Sequence, residues 1–472
     1  MPIIQIARFK ALTSWSPPGV QIEGAIWPMV KMSDLVTQIN AIARTLAADE
    51  LVRFAGVRWY GNGLFIREER MGGQTIGKSY PLVPGALIYN RLFGWKSAFA
   101  LVPPEMSGVV VSNEFPQFRV NEEVADASFV NLVCGSAIFA EVMLSRSTGT
   151  TAVSRNRLVE QDFLDLAIPL PPLETQRRIV ADHDAQIAEA NGLAASAARR
   201  RESAWTAFED ALGVVAPESA DVTQLVSIAR FAKLSRWDTE TADATMTVLY
   251  PMELLGAHAE VRLGCQVPRK GAHATGVERP YLRAANVRPG GLNLSDVKTM
   301  TVSQVLVDAL KLQAEDLLFA EGSGSLDEVG RCATWDSQIP HCIHQNSVVR
   351  GRITSDRLVP AFAMAWFNSI PGSAYFRVQA TTTSGLFHIG AGKTAGAPIP
   401  VPPVPIQEEL AQALWSEIAT ADGDEALAAD LRAQSAAEFG TAVFGEALSA
   451  EELSFQDARH DARRTARSQS RD

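Results

Sequence analysis

Cysteine is scarce. Four residues (Cys134, Cys265, Cys332, Cys342) are spread over 472 positions, too few and too scattered for a disulfide framework. No C-x-x-C pair is present to build a structural zinc site. Long apolar runs are missing as well. The most apolar stretch, LVPAFAMAWFNSI (358–370), falls short of the ~20 residues that a membrane-crossing helix needs. The opening MPIIQIARFKAL carries charge early and makes a poor secretory signal. These absences point to a reducing, cytoplasmic setting without a membrane partner. What is present is ordinary for a soluble globular chain: 47% hydrophobic and 20% charged residues. The length suggests two to four domains at roughly 100–200 residues each.

The net charge of −10 at first argues against a nucleic-acid partner. Its distribution argues otherwise. Residues 1–172 carry 15 basic and 15 acidic side chains, and residues 228–403 carry 17 and 15. The excess negative charge sits in 173–227, with 5 basic and 9 acidic, and in 404–450, with 1 and 9.

The chain repeats itself. IARFKALTSW (6–15) matches IARFAKLSRW (228–237) at an offset of 222. LVRFAGV (51–57) matches YLRAANV (281–287), placing Arg53 on Arg283 and Arg58 on Arg288. VPGALIY (83–89) falls on QAEDLLF (313–319), and VVVSNEF (109–115) on CIHQNS (342–347). IPLPPLETQ (168–176) matches IPVPPVPIQ (399–407). Ordered matches at a slowly drifting offset identify two copies of one unit with small insertions.

Each copy has the same grammar. Short β-branched or alternating runs punctuated by Gly and Pro read as strands and turns. A Pro-Pro element follows that must be extended, because proline fixes φ and disfavours helix before it. A long Ala/Glu/Gln/Arg-rich segment then reads as helix. In the first, Ile179, His183, Ile187, Ala190, Ala194 and Ala197 share one face. In the second, Leu410, Leu414, Ile418, Ala421, Leu427 and Leu431 do so. Two such stripes bury each other most simply as an antiparallel pair. Gly192, Gly423 and Gly440 predict kinks, with 421–425 the weak point of the second helix. The fold class expected is α+β: tandem duplicated β-rich domains separated by two long antiparallel, coiled-coil helices. The boundaries read as a first domain 1–172, a helix and linker 173–227, a second domain 228–403, a second helix 404–449 and a disordered tail 450–472.

IPLPPLETQRRIVADHDAQI resembles the boundary between a target-recognition domain and a conserved helix in specificity subunits of type I restriction-modification enzymes. PYLRAANVRPGGLNLSDVKTM (280–300), LQAEDLLFAEG (312–322) and HCIHQNSVVR (341–350) resemble parts of such a recognition domain. The resemblance spans about residues 5–449. It implies two DNA-recognition domains that direct partner subunits to a sequence while performing no chemistry. The implied partners are double-stranded DNA, two methyltransferase subunits on the coiled coil, and nuclease/translocase subunits. S-adenosylmethionine, ATP and Mg2+ are implied for those partners, and no cofactor for this chain. Two readers on one chain, held apart by a rigid spacer, imply a bipartite target with an unread gap. The two copies differ outside the shared motifs, which implies an asymmetric target. The second copy has Glu408-Glu409 where the first has Arg177-Arg178, so the two helices are not equivalent docking surfaces.

The densest basic stretch is 51–100, with Arg53, Arg58, Arg67, Arg70, Lys78, Arg91 and Lys96 against Glu68 and Glu69, and with Trp59 and Tyr60 interleaved. Its counterpart 251–300 includes Arg283, Arg288 and Lys298. Phosphates call for such cations, and Arg and Asn read base edges. Arg58, Arg288 and Asn286 stand where a predicted strand enters a Gly turn. Arg53 and Arg283, within apolar runs, fit structural ion pairs equally well. The segments before each Pro-Pro element, SRSTGTTAVSRNR (145–157) and TTTSGLFHIGAGK (381–393), offer hydroxyls with Arg155, Arg157, His388 and Lys393 for backbone contacts. A solvated face or a plain loop is the competing reading for each.

GAGKT (390–394) is not a phosphate-binding loop, because Phe387 stands where the pattern needs Gly and prolines follow. FAEGSGS (319–325) reads as a turn after a strand. His341, Cys342 and His344 are too close together to form a four-ligand metal site alone. A duplicated interaction scaffold without DNA binding, a methylation-only complex and a self-contained enzyme remain the alternatives. The last of these lacks any recognisable catalytic motif.

Overall fold

The repeat in the sequence is a repeat of strand order. A computed structural model describes residues 26–74, 77–140, 157–215, 247–267, 276–383 and 385–445. The sequence pair 6–15 and 228–237, most of 145–157 and the expected tail lie outside these residues. The described residues fall into two units, one drawn from 1–193 and 426–468, the other from 194–425. The division runs through both long helices, so each unit holds one β-rich domain and a part of each helix.

The strands of the first unit are β1 (Met29–Lys31), β2 (Val36–Gln38), β3 (Leu51–Val57), β4 (Leu64–Met71), β5 (Tyr80–Pro81), β6 (Leu87–Tyr89), β7 (Phe99–Leu101), β8 (Val110–Val111), β9 (Gln117–Val120) and β10 (Ala167–Pro169). They form sheets ordered β2-β9-β6-β7, β4-β3-β8-β5 and β1-β10. Tyr89, Phe99, Phe118 and Phe163 pack at ring separations of 5.0–6.0 Å and are all fully buried.

The second unit has β11 (Met252–Leu254), β12 (Ala259–Leu263), β13 (Val277–Leu282), β14 (Val287–Arg288), β15 (Gly291–Leu292), β16 (Lys298–Val302), β17 (Leu317–Ala320), β18 (Gly322–Ser323), β19 (Cys332–Thr334), β20 (Ile343–His344), β21 (Val348–Ile353), β22 (Thr381–Thr383), β23 (Leu386–His388) and β24 (Pro398–Pro400). Its sheets run β12-β21-β17-β19, β16-β13-β20 and β11-β24. The first and third repeat the order of β2-β9-β6-β7 and β1-β10, and the second repeats β4-β3-β8 without a counterpart of β5; β14-β15 and β18-β23-β22 are additions of the second unit. The matching extends to direction: β3 pairs antiparallel with β4 and parallel with β8, and β13 pairs antiparallel with β16 and parallel with β20.

Both domains end in the same junction. After the extended Pro-Pro step comes a buried glutamine, Gln176 or Gln407. The Gln176 Oε1 accepts from the Asp126 N–H (2.8 Å), and its Nε2 donates to the carbonyls of Pro171 (2.8 Å) and Val124 (3.3 Å). The Gln407 Oε1 accepts from the Val359 N–H (2.8 Å), and its Nε2 donates to those of Pro402 (2.7 Å) and Arg357 (2.8 Å). Each staple fixes where a long helix begins, Leu173–Ala211 in one case and Val404–Phe444 in the other.

Beyond those glutamines each helix buries a series of residues seven apart. Ala190, Ala197 and Ala204 follow in the first, and Leu414, Ala421, Ala428 and Ser435 in the second. A seven-residue repeat is the seam of a coiled coil, and small residues let the backbones approach closely. Within each unit the two helices run antiparallel, since cross-helix partners rise along one and fall along the other. In the first unit Gln186 bonds Glu438 (2.7 Å) and Arg432 bonds Asn191 (3.0 Å); in the second Arg201 bonds Glu425 (2.6 Å) and the Trp205 and Trp415 rings lie 5.9 Å apart. The expected α+β class, with two long antiparallel helices, therefore holds.

Two details differ from the sequence reading. Leu427 is exposed, because the seven-residue register places Ala428 in the seam instead. The second helix also continues through 421–425 without a break. There Ala421 is fully buried, and Arg201 bonds both Asp422 and Glu425 at 2.6 Å.

His344 gives the second unit a pH dependence. It is fully buried, and its Nδ1–H donates to the Val348 carbonyl (3.0 Å) while Nε2 has no hydrogen-bond partner among the described residues. Burial first, then the Arg350 and Arg262 cations, push its pKa down to about 4, against the Val348 carbonyl and Asp316. An unfolded histidine titrates near 6.5, so on acidification the unfolded state takes up the proton first. The contribution is therefore complete above pH ~6.5 and is lost as pH falls toward about 4. Between pH 7 and pH 5 the second unit is expected to lose about 2 kcal/mol through this group. His344→Leu should flatten that acid limb in denaturant titrations followed by residue-resolved hydrogen exchange. An unchanged acid limb in the variant would rule the assignment out.

Candidate nucleic-acid interface

In the first unit the basic stretch folds into the β3–β4 hairpin. Pairing from Leu51↔Met71 to Val57↔Leu64 leaves residues 58–63 as its turn. Tyr60 (φ 57°), Gly61 (φ 67°) and Gly63 (φ 74°) are left-handed there, which explains the glycines. Arg53 is exposed on β3, across from Glu69. Arg58 is exposed at the start of the turn, its guanidinium 5.0 Å from the centre of the Phe65 ring. Neither has an ion-pair partner among the described residues. The other cations of the hairpin are neutralised locally. Glu68 bridges Arg70 and Arg67, whose hydrogen bonds hold its carboxyl below the usual range.

The remaining aromatic and basic positions turn inward. Lys96 is buried, with its ammonium 3.5 Å from the Trp59 ring centre and 4.8 Å from that of Trp95. Half-buried Trp59 packs on Phe93 at 5.4 Å. The Tyr60 N–H donates to the Lys96 carbonyl (2.9 Å), tying the turn to this cluster. Arg91 pairs with Glu160 (Nε to Oε2, 3.0 Å) and also donates to the Asn113 carbonyl. Burial works against the Glu160 charge, yet the Arg91 guanidinium holds that carboxyl below its ordinary range. Lys96 and Arg91 thus brace the domain rather than project from it, which corrects the expectation that they reach DNA. Arg157 is exposed and paired with Glu114 at 2.8 Å. Arg155 lies outside the described residues.

In the second unit Asn286 is the clearest departure from expectation. It is buried, its Oδ1 accepts from the Arg283 N–H (3.0 Å), and its Nδ2 donates to the carbonyls of Asn293 (2.8 Å) and Asp296 (3.1 Å). With its amide occupied by the turn it cannot present that amide to a base. Arg283 pairs with Asp296, the structural alternative left open by the sequence. Arg288 is exposed on the β14–β15 hairpin. The turn after it lies on the second long helix. A Cβ on Gly290 (φ 73°) would stand 2.4 Å from the Trp415 ring, so only glycine fits. Lys298 is exposed on β16, opposite Tyr281. His388 (Nδ1) lies 3.0 Å from Glu321, and the Lys393 ammonium donates to the Gln379 carbonyl and to Thr381 Oγ1 (3.3 Å).

The structure therefore leaves Arg53 and Arg58 in one unit, and Arg288 and Lys298 in the other, as exposed cations. Among the described residues no group of His, Cys, Asp and Glu is arranged to hold a metal ion, and no helix is long and apolar enough to cross a membrane.

No family model matches the chain. Over 149 residues it is 30% identical to the type I restriction enzyme EcoKI specificity subunit of Escherichia coli (strain K12), a match covering 31% of this chain and 32% of that protein. It thus spans about a third of the curated relative's length. In fold the chain is similar to one from a solved type I restriction-modification system, with a TM-score of 0.53 at 17% identity over 91% of this chain and 98% of that one. The S subunit of a type I restriction-modification system from M. genitalium aligns over 90% of this chain and 98% of its own, at 10% identity and a TM-score of 0.49. The chain thus shares its fold with a chain of a type I restriction-modification system, and over 149 residues it is similar in sequence to a type I specificity subunit.

Proposed function

We propose that this chain is the DNA-reading, non-catalytic subunit of a type I restriction-modification complex. One domain in each unit reads one half of a bipartite, asymmetric target. The observation that carries the reading is the duplicated strand order, from paired sheets to the paired glutamine staples, in a chain related in sequence to a specificity subunit. One architecture twice, with different exposed side chains, supports two readers with different preferences. The helix pair serves as the platform for two methyltransferase subunits, with nuclease/translocase subunits joining them. Arg177 and Arg178 are exposed at one helix start, and Glu408 and Glu409 at the other, which supports unequal docking surfaces. S-adenosylmethionine, ATP and Mg2+ act in the partners.

Methylome sequencing of cells with and without the gene, expressed beside its neighbouring genes, tests this. The expected result is one bipartite, asymmetric methylated motif that vanishes with the gene. A methylation pattern unaffected by the deletion, or a perfectly palindromic motif, would sink the proposal.

A further inference from the structure

Two segments 60 residues apart in sequence meet on one ribbon. FAEGSGS supplies β18, and TTTSGLFH supplies β22 and β23. The order is β18-β23-β22, with Gly322 paired to His388, Ser323 and Thr382 to Phe387, and Thr383 to Leu386. The ribbon stands on fixed supports. Ile389 below it is fully buried, and its N–H donates to the Glu321 carbonyl (3.1 Å). Half-buried Phe387 packs on the core of the unit.

The charged groups of this segment face those supports. His388 is held by Glu321, and Lys393 by the Gln379 carbonyl and Thr381 Oγ1. At the end of the ribbon away from them stand uncharged groups. Thr382 is exposed one pair from the turn, and Leu386 is 45% exposed at the closing pair of the hairpin. Gly385 beside it is left-handed (φ 77°), with nothing within 4 Å of where its Cβ would be. A two-stranded ribbon fits the DNA major groove. Threonine hydroxyls donate to or accept from base edges, and an apolar side chain contacts the thymine methyl. Phosphates, in contrast, are bound mainly by cations, and here the cations are occupied.

We propose that the two-stranded β22–β23 end of this ribbon reads bases in the second unit, with Thr382 and Leu386 as specificity-determining residues. The inference rests on the DNA-reading function proposed above. It also revises the expectation that this segment holds the DNA backbone through His388 and Lys393.

The test uses the full chain expressed with its partner subunits. Thr382→Ala/Leu386→Ala and, separately, Leu386→Glu are compared with the parent by methylome sequencing. Binding of the purified complex to a duplex carrying the parent motif is measured at several salt concentrations. Both sites are exposed, so thermal melting should not move. The expected result for the alanine pair is relaxed choice, about 10-fold or more, at one or two positions in one half of the motif. The other half and the salt slope stay as in the parent. Leu386→Glu should remove methylation at the parent motif. Two halves unchanged in both variants would overturn the proposal. So would a uniform loss of affinity with a shallower salt slope, the mark of lost phosphate contacts. A parent complex that yields no motif defeats the DNA-reading function itself, a result separable from these.

Discussion

Replacing Gln407 with alanine is expected to cost the second unit about 4 kcal/mol, the sum of three broken buried hydrogen bonds at about 1–3 kcal/mol each for the groups left behind. The side chain is fully buried and makes all three bonds to backbone: one from the Val359 N–H and two to the Arg357 and Pro402 carbonyls. Alanine satisfies none of these, and the site is closed to water. For a unit of this size the midpoint should fall by roughly 10 °C. Gln407→Glu should also destabilise, because a carboxylate accepts from Val359 but donates nothing to two carbonyls. Gln176→Ala is the matching experiment for the first unit, where the bonds run to Asp126, Pro171 and Val124. Hydrogen exchange resolved along the chain should show each variant weakening its own unit first. A midpoint within a degree of the parent for both alanine variants would mean that the glutamines do not hold the junctions.

These glutamines show what the sequence made legible. The repeated blocks IPLPPLETQ and IPVPPVPIQ already placed both at one offset, because proline and the helix start impose local rules that survive divergence. The helical stripes were legible for the same reason, and Ala190, Ala197, Leu414 and Ala421 are buried as their periodicity predicts. The site was less so. A count of cations cannot tell which side of a strand or turn they take. Lys96 found an aromatic cage and Arg91 a carboxylate 69 positions away in sequence. Asn286 falls not at a strand end but in the short helical turn 284–286, where a buried polar network takes its hydrogen bonds. The ribbon joining Gly322–Ser323 to Phe387–His388 had no local signal, since pairing across more than 60 residues is a tertiary event. A glycine-serine run that reads as a plain turn then becomes an edge of the candidate reading surface.

The second large effect concerns salt. If the exposed cations of the two units neutralise phosphates, duplex affinity must fall as a power of salt concentration, with a slope near −0.9 per contact. Arg53, Arg58, Arg288 and Lys298 are exposed and have no ion-pair partner among the described residues, whereas Arg67, Arg70, Arg91, Arg157 and Arg283 are already paired. Four to six contacts predict an affinity drop of about 10²- to 10³-fold between roughly 50 and 200 mM salt. The paired arginines matter less, because each must first give up a carboxylate. Replacing the four exposed cations with glutamine should flatten the slope by about 3–4. The order of preference among sequences should stay the same, because phosphate contacts position the protein without identifying bases. Competition binding of the assembled complex, on the parent motif and on a scrambled duplex at several salt concentrations, reads both quantities at once. A slope unchanged by the fourfold substitution would place the phosphate contacts elsewhere on the chain. A slope near zero in the parent would leave the acidic total of −10 as the better guide, and DNA would not be the partner.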